Sequence, residues 1–83
     1  AHVEIALKRL VKVGITENMF SALASFVYNV GSGAFQRSTM RMKLNRKNYE
    51  GCVKEFPRWR MGGGKVLPGL VKRRKEEVSL FLL

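Results

Sequence analysis

Residues 16–31 read TENMFSALASFVYNVG, and this stretch carries the strongest helical pattern of the sequence. Its large apolar residues recur at helical spacing and form a wide apolar face: Met19, Phe20, Leu23, Phe26, Val27 and Val30. Thr16 is placed to cap the N-terminus with its hydroxyl, and Glu17 brings a carboxylate to the positive end of the helix dipole. Gly31 can take the left-handed conformation that ends a helix. The stretch therefore predicts a buried central helix that runs to Val30.

The segment before this helix has the same spacing over residues 3–11, which predicts a helix that Gly14 ends. The segment 31–33 after it, Gly-Ser-Gly, predicts a loop. Ser38 is placed to cap a short helix that ends near Asn45.

Asn48 is placed to cap the next helix, which Pro57 stops. The glycine triplet 62–64 is expected to be the most flexible point of the chain. Pro68 suits the first turn of a last helix, whose inward-facing residues are predicted to be Leu70, Val71, Val78, Phe81 and Leu82. About five short helices without a credible strand pair predict an all-α fold.

Composition limits the classes of function. Eighty-three residues allow one small domain, and sixteen Lys and Arg against six acids give a formal net charge of +10, which favours anionic partners. Basic side chains cluster at residues 41–47 and 72–75, where they form either phosphate-binding patches or solvated helix faces. His2 and Cys52 are the only residues of their types, so a Cys/His zinc site is excluded, no cofactor is expected, and Cys52 is interpreted as a small core residue.

Two further classes are not supported by the sequence. The Gly-Gly-Gly-Lys run at residues 62–65 lacks the glycine spacing and the Ser or Thr of a phosphate-binding loop. The longest nearly apolar stretch, residues 19–30, is shorter than the roughly 20 residues that a bilayer requires, and no secretory signal is recognised at the start.

The acidic residues alone do not make a glycosidase. All six acids are glutamates, and none forms an obvious pair across a sugar bond. Those of the second half, Glu50, Glu55, Glu76 and Glu77, are interpreted as surface charges that balance neighbouring Lys or Arg.

A set of motifs nevertheless resembles one family. The run 16–31 is followed in order by Gly-Ala-Phe at 33–35, Arg-Trp at 58–59, and Pro-Gly-Leu at 68–70 with Arg73, Arg74 and Glu77. In this order the motifs resemble the phage-type lysozymes (endolysins) of glycoside hydrolase family 24, over nearly the whole chain. The resemblance implies hydrolysis of β-1,4 bonds between N-acetylmuramic acid and N-acetylglucosamine of peptidoglycan during host lysis.

The same resemblance implies that only part of such an enzyme is present. The family carries its catalytic glutamate in an N-terminal lobe, with Asp or Cys nine residues later, and no glutamate of this chain has that signature. Residues 1–13 resemble the end of the connecting helix and residues 14–83 the helical lobe. Without the N-terminal lobe the chain is expected to be inactive alone, which leaves its status as an enzyme open.

The resemblance also indicates the residues of the sugar cleft. Asn29 matches a polar residue that lines the cleft, with Ser25 and Phe26 nearby, although a capping or turn role for Asn29 fits as well. Arg58 and Trp59 lie near the cleft in the family, while a lone Trp can equally anchor the core. Arg73, Arg74 and Gly31 are assigned structural roles, and the two arginines are expected to pair with acids of the missing lobe and to be exposed here.

Partners and place of action follow from the same interpretation. Peptidoglycan glycan strands are the expected partner, together with a complementary N-terminal lobe or a second copy of the chain. Action at the bacterial cell wall, in the periplasm after release from the host cytoplasm, is expected. The alternative function is a non-enzymatic cationic binder of the bacterial envelope, of membranes through basic amphipathic helices, or of nucleic acid.

Overall fold

The computed structural model describes residues 2–83 and confirms the all-α expectation. In chain order the helices are α1 (His2–Leu10), α2 (Glu17–Val30), α3 (Ser32–Gln36), α4 (Thr39–Asn45), α5 (Tyr49–Glu55), a 3₁₀ turn (Phe56–Arg58) and α6 (Pro68–Phe81). Two short strands, β1 (Met61–Gly62) and β2 (Lys65–Val66), stand between the 3₁₀ turn and α6. No helix among these residues is long and apolar enough to cross a membrane.

Helix α2 is central, as predicted, and both of its ends follow the local sequence. The Thr16 hydroxyl accepts a hydrogen bond from the Met19 N–H at 3.0 Å. At the other end Gly31 has φ 95° and donates its N–H to the Val27 carbonyl at 2.8 Å. Its ψ of 148° lies outside the left-handed helical region, but the positive φ still requires glycine.

The core surrounds Phe26 of α2, which is fully buried. Its ring makes edge-to-face contacts with Phe35, Phe56 and Trp59, whose centroids lie 6.3, 5.4 and 5.3 Å away. Helices α1 and α6 pack against α2, while α4 and α5 pack against each other. Cys52 is fully buried in this core, which confirms its interpretation as a core residue.

Three sequence predictions about local structure are wrong. Residues 32–36 form helix α3 instead of a loop, because Phe35 is fully buried against Phe26 and its packing outweighs the low helix propensity of Gly and Ser. The last helix includes Pro68 in its first turn as predicted, but Leu82 follows its end and is 66% exposed.

The glycine triplet belongs to an antiparallel hairpin, so the prediction that no strand pair exists is also wrong. Met61 pairs with Val66 and Gly62 with Lys65. Gly63 and Gly64 make the turn with φ 58° and 79°, which favours glycine at both positions. A Cβ at Gly62 would meet the Cδ1 methyl of Leu67, so a larger residue there would require the Leu67 side chain to move.

Candidate functional site

A groove of about 320 Å³ forms where the end of α2, the residues after the 3₁₀ turn, the hairpin and α6 meet. We call it the Trp59 groove, and its lining consists of Asn29, Val30, Arg58, Trp59, Met61, Leu70 and Arg74. Three of the five residues predicted to bind substrate, Asn29, Arg58 and Trp59, are thus brought together. The side chains of Asn29 and Arg58 are exposed, while Trp59 is half-buried.

Trp59 is held from behind by the core. Its ring stands at 90° to that of Phe26, with the centroids 5.3 Å apart. Arg74 Nη1 lies 3.4 Å from the Trp59 carbonyl oxygen, to which it donates. Trp59 therefore packs on the core, as one of its two interpretations from the sequence predicts, and it also lines the groove.

Phe26 and Ser25 do not line this groove. Phe26 has no exposed surface, so the prediction that it contacts substrate is wrong, and it supports Trp59 from within the core. The Ser25 hydroxyl donates to Glu77 Oε2 at 2.6 Å, a short distance typical of a bond to a charged acceptor. Both residues thus act beneath the groove.

Glu77 and Arg74 form a buried ion pair, which corrects two interpretations of the sequence. Their side chains are 3% and 1% exposed, and Arg74 Nε lies 2.7 Å from Glu77 Oε1. A second contact joins Arg74 Nη2 to Glu77 Oε2 at 3.0 Å. Glu77 is therefore not a surface charge, and the Arg74 charge is not exposed.

Arg73 and the ring of Phe26 complete this cluster. Arg73 Nε donates to Glu77 Oε2 at 3.4 Å, and its Nη2 donates to the Ser25 carbonyl at 3.1 Å. The Arg73 side chain is 37% exposed, so its predicted exposure is only partial and its partner lies on the same helix. The Arg74 guanidinium lies 5.0 Å from the centroid of the Phe26 ring, within cation–π distance. The cluster links α2 and α6 directly under Trp59.

A second groove of about 580 Å³ adjoins the first and is called the middle groove. Its lining consists of Ala34, Arg37, Ser38, Thr39, Glu55, Arg58 and Trp59. Glu55 is 6% exposed, so its interpretation as a surface charge is wrong. Its carboxylate contacts Lys43 Nζ at 3.0 Å and Arg58 Nε at 3.8 Å. Both of its oxygens are therefore engaged by cations of the chain.

Neither groove is lined by Cys52 or His2. Burial raises the pKa of the Cys52 thiol from 9.0 to about 12, with a further increase from the Glu55 charge and an opposing effect of Lys43. A thiol protonated at neutral pH is not a nucleophile. His2 is exposed in α1, and residues 2–83 contain no cluster of His, Cys, Asp and Glu that could hold a metal ion.

A larger cavity, of about 870 Å³, lies elsewhere. It forms between the start of α2, α5 and the end of α6, and apolar side chains such as Ile15, Met19 and Phe81 line it. None of the predicted substrate residues belongs to it. Its size alone does not make it the functional site, because its lining is mainly apolar and its polar side chains are engaged within the chain. The Tyr49 hydroxyl donates to the Gly14 carbonyl at 2.9 Å, and Lys54 Nζ lies 3.6 Å from Glu50 Oε1.

The sequence missed Met61 and Leu70 as apolar wall residues of the Trp59 groove. It also missed the ion pair beneath the groove. The spacing of Arg73 and Arg74 relative to Glu77, four and three residues, is the signal that could have found it, because such residues share a helix face.

Comparisons with known proteins agree on one family. A family model described as Phage lysozyme matches residues 1–77. The endolysin of Bacillus phage B103 is 50% identical over 74 residues, which cover 89% of this chain and 28% of that endolysin. The chain thus spans less than a third of this relative.

Two solved structures share the fold. The muramidase domain of SpmX from Asticaccaulis excentricus matches with a TM-score of 0.92 and 32% identity, over 99% of this chain and 58% of that chain. A mutant of P22 lysozyme matches with a TM-score of 0.91 and 36% identity, over 99% and 56%. Because the family model covers most of the sequence and these folds superpose on nearly all of it, the chain belongs to the phage lysozyme family.

Proposed function

We propose that this chain forms the glycan-binding lobe of a peptidoglycan-degrading lysozyme that hydrolyses the β-1,4 bond between N-acetylmuramic acid and N-acetylglucosamine at the bacterial cell wall. Residues 1–13 correspond to the segment that joins the two lobes, in which helix α1 ends at Leu10 and not at Gly14 as the sequence predicted, and residues 14–83 correspond to the helical lobe. The observation that carries the proposal is the Trp59 groove, where Asn29, Arg58 and Trp59 converge in a member of the phage lysozyme family.

The chemistry of this groove suits a sugar chain. The exposed Asn29 amide has a donor and an acceptor for a hydroxyl or acetamido group. Trp59 offers an apolar ring surface whose orientation is fixed by Phe26, and Met61 and Leu70 extend the apolar wall. An aromatic ring that is already held in place loses little freedom on binding, which favours affinity.

We also propose that residues 1–83 do not include the catalytic carboxylate. Glycoside hydrolysis needs a pair of carboxyl groups on either side of the scissile bond. No acid lines the Trp59 groove. The carboxylate of the adjoining middle groove, Glu55, is bound by Lys43 and Arg58, and Glu77 is engaged by Arg73, Arg74 and Ser25. The acid would therefore come from a complementary lobe that packs on this one.

Trp59 is the only tryptophan of the sequence, so its fluorescence tests glycan binding directly. Short N-acetylglucosamine oligomers are expected to shift its emission, and Asn29→Ala should weaken their binding about tenfold, which corresponds to about 1.4 kcal/mol. Asn18→Ala is the matched control because Asn18 is an exposed asparagine on the same helix outside the groove. An unchanged Trp59 emission with every glycan would overturn the proposal.

Salt separates this function from the alternative of a general cationic binder. Glycan affinity should change little between about 50 mM and about 500 mM salt, whereas binding through phosphate contacts falls steeply with ionic strength. A steep loss of glycan binding would favour the alternative.

Incubation of the chain with purified peptidoglycan tests the missing carboxylate. We expect mass spectrometry to detect no soluble muropeptides that end in reducing N-acetylmuramic acid. Their release would show that a glutamate of this chain acts as the acid. Association with a complementary lobe or a second copy also remains a prediction, and sedimentation at high micromolar concentration checks self-association.

A further inference from the structure

A third groove, of about 430 Å³, lies along the junction of α3 and α4. We call it the Arg41 groove, and its lining consists of Gln36, Arg37, Ser38, Thr39, Arg41, Met42, Asn45 and Arg46. Three arginines thus face one groove whose lining contains no carboxylate. The groove is therefore strongly positive in a chain that already carries a net charge of +10.

Arg41 at the centre of this groove is held in place by the fold. Its Nε donates to the Leu10 carbonyl at 2.9 Å, and its Nη1 donates to the Gln36 carbonyl at 3.2 Å. These bonds use part of the guanidinium's N–H groups and leave the others for a ligand. A half-buried arginine that is already oriented loses less side-chain entropy on binding than a free surface arginine.

The Arg41 groove and the Trp59 groove both adjoin the middle groove. It shares Arg37, Ser38 and Thr39 with the middle groove, which in turn shares Arg58 and Trp59 with the Trp59 groove. A polymer attached to a glycan bound at Trp59 can therefore follow one surface path to Arg41.

We propose that the Arg41 groove binds the phosphodiester backbone of an anionic polyol-phosphate polymer carried by the same cell wall. This inference rests on the proposed function, because two grooves that adjoin the same middle groove favour a ligand linked to the glycan. Arginine suits phosphate since its planar guanidinium makes paired hydrogen bonds to two oxygens. Single-stranded nucleic acid fits less well, because its binding relies on aromatic side chains for base stacking and none lines this groove.

The test is a titration of the chain with purified poly(glycerol phosphate) between about 50 mM and about 300 mM salt. The double variant Arg37→Gln/Arg46→Gln leaves the structural Arg41 in place. It should bind the polymer at least about tenfold more weakly at low salt, and the negative slope of log affinity against log salt should become less steep by about 1.4, on the order of 0.7 for each lost phosphate contact.

The matched control is Arg60→Gln/Lys72→Gln, which removes the same charge from exposed residues outside the three grooves. This control should keep most of the polymer affinity. An equal loss in both double variants would overturn the proposal, because net charge alone would then account for the binding.

Two further binding measurements identify which class of anion the Arg41 groove prefers. Tighter binding of a cytidine oligonucleotide than of poly(glycerol phosphate), lost in Arg37→Gln/Arg46→Gln, would overturn the proposal in favour of nucleic acid. Wild type and this variant should bind with equal affinity to cell walls from which the phosphate polymer has been removed. A persistent difference would overturn it in favour of another wall anion, such as peptide carboxylates.

Failure of this inference is distinguishable from failure of the proposed function. Arg37→Gln/Arg46→Gln should leave the Trp59 emission response to N-acetylglucosamine oligomers unchanged, while Asn29→Ala should weaken that response and leave polymer binding intact. A glycan response without polymer binding contradicts only the present inference.

Discussion

Glu77 and Glu55 are both buried glutamates with two cationic neighbours, but the burial of their partners differs. At Glu77 the closest partner, Arg74, is itself 1% exposed, and Ser25 adds a hydrogen bond of 2.6 Å. At Glu55 the partners Lys43 and Arg58 are 32% and 75% exposed. In the Arg74–Glu77 pair both charged groups are buried. At Glu55 only the carboxylate is buried, and its cationic partners remain in contact with water. The comparison shows that burial of the partner decides how strongly the fold depends on an ion pair.

Glu77→Gln should have the largest effect, because it leaves the Arg74 guanidinium buried without a counter-charge. We expect the free energy of unfolding, measured in urea, to fall by about 3 to 5 kcal/mol. In a domain this small such a loss can abolish folding, so the double variant Arg74→Met/Glu77→Leu is the companion measurement. It should recover most of the stability. A Glu77→Gln loss below about 1 kcal/mol would contradict the comparison.

Ser25→Ala should have the next largest effect, since it removes a hydrogen bond to the buried Glu77 carboxylate. The expected loss of unfolding free energy is about 2 kcal/mol, within the range for a bond to a charged group. Ser21→Ala is the matched control, because Ser21 is exposed on the same helix, and it should change stability by less than about 0.5 kcal/mol. Similar losses in the two variants would show that the contact to Glu77 contributes nothing.

The ionisation of the Cys52 thiol, which lies near Glu55, should make the stability of the fold depend on pH. The pKa of the Cys52 thiol is about 12 in the folded protein, whereas it is 9.0 in the unfolded chain. Stability is therefore fully present below pH 9 and decreases between pH 9 and 12. At about pH 10 the wild type should have lost about 1.4 kcal/mol more than Cys52→Ala, both relative to neutral pH.

The same titration separates the effect of burial from that of the Glu55 charge. Glu55→Gln should lower the pKa of the folded thiol, because a neighbouring negative charge disfavours the thiolate. Identical pH profiles for wild type and Cys52→Ala would show that the thiol is not protected by the fold.

Glu55→Gln should have the smallest effect on stability at neutral pH. Lys43 and Arg58 can both turn toward water when the carboxylate is lost, so the unfolding free energy should decrease by only about 0.5 to 1 kcal/mol. A loss as large as that of Glu77→Gln, measured in the same urea series, would remove the distinction between the two pairs.

Much of the fold could be predicted from local sequence, and its exceptions have a physical cause. The ends of α2 depend on Thr16 and Gly31, whose capping contacts lie within four residues along the chain. Helix α3 was missed because its stability comes from Phe35 packing on Phe26, which is a tertiary contact. Propensity within 32–36 carries no information about that contact.

The site was predictable only in part for the same reason. Asn29, Arg58 and Trp59 belong to motifs that can be recognised in the sequence, and the structure brings these three residues into one groove. The burial of Glu77 depends on Ser25, which is 52 residues away in the sequence. A run of charges such as residues 72–77 therefore does not reveal which of its members faces inward.

Arg41 connects its groove to a distant helix terminus. Arg41 and the Asn45 amide both donate to the Leu10 carbonyl at 2.9 Å, and Asn45 Oδ1 accepts from the Lys12 N–H at 2.8 Å. These bonds satisfy backbone groups that the end of α1 would otherwise leave unpaired. By thermodynamic linkage, a ligand that holds Arg41 in this geometry shifts the fraying equilibrium of α1 toward the helix, and fraying of α1 weakens binding of that ligand by the same factor. Amide hydrogen exchange in α1 would therefore report whether a ligand occupies the Arg41 groove beside α4.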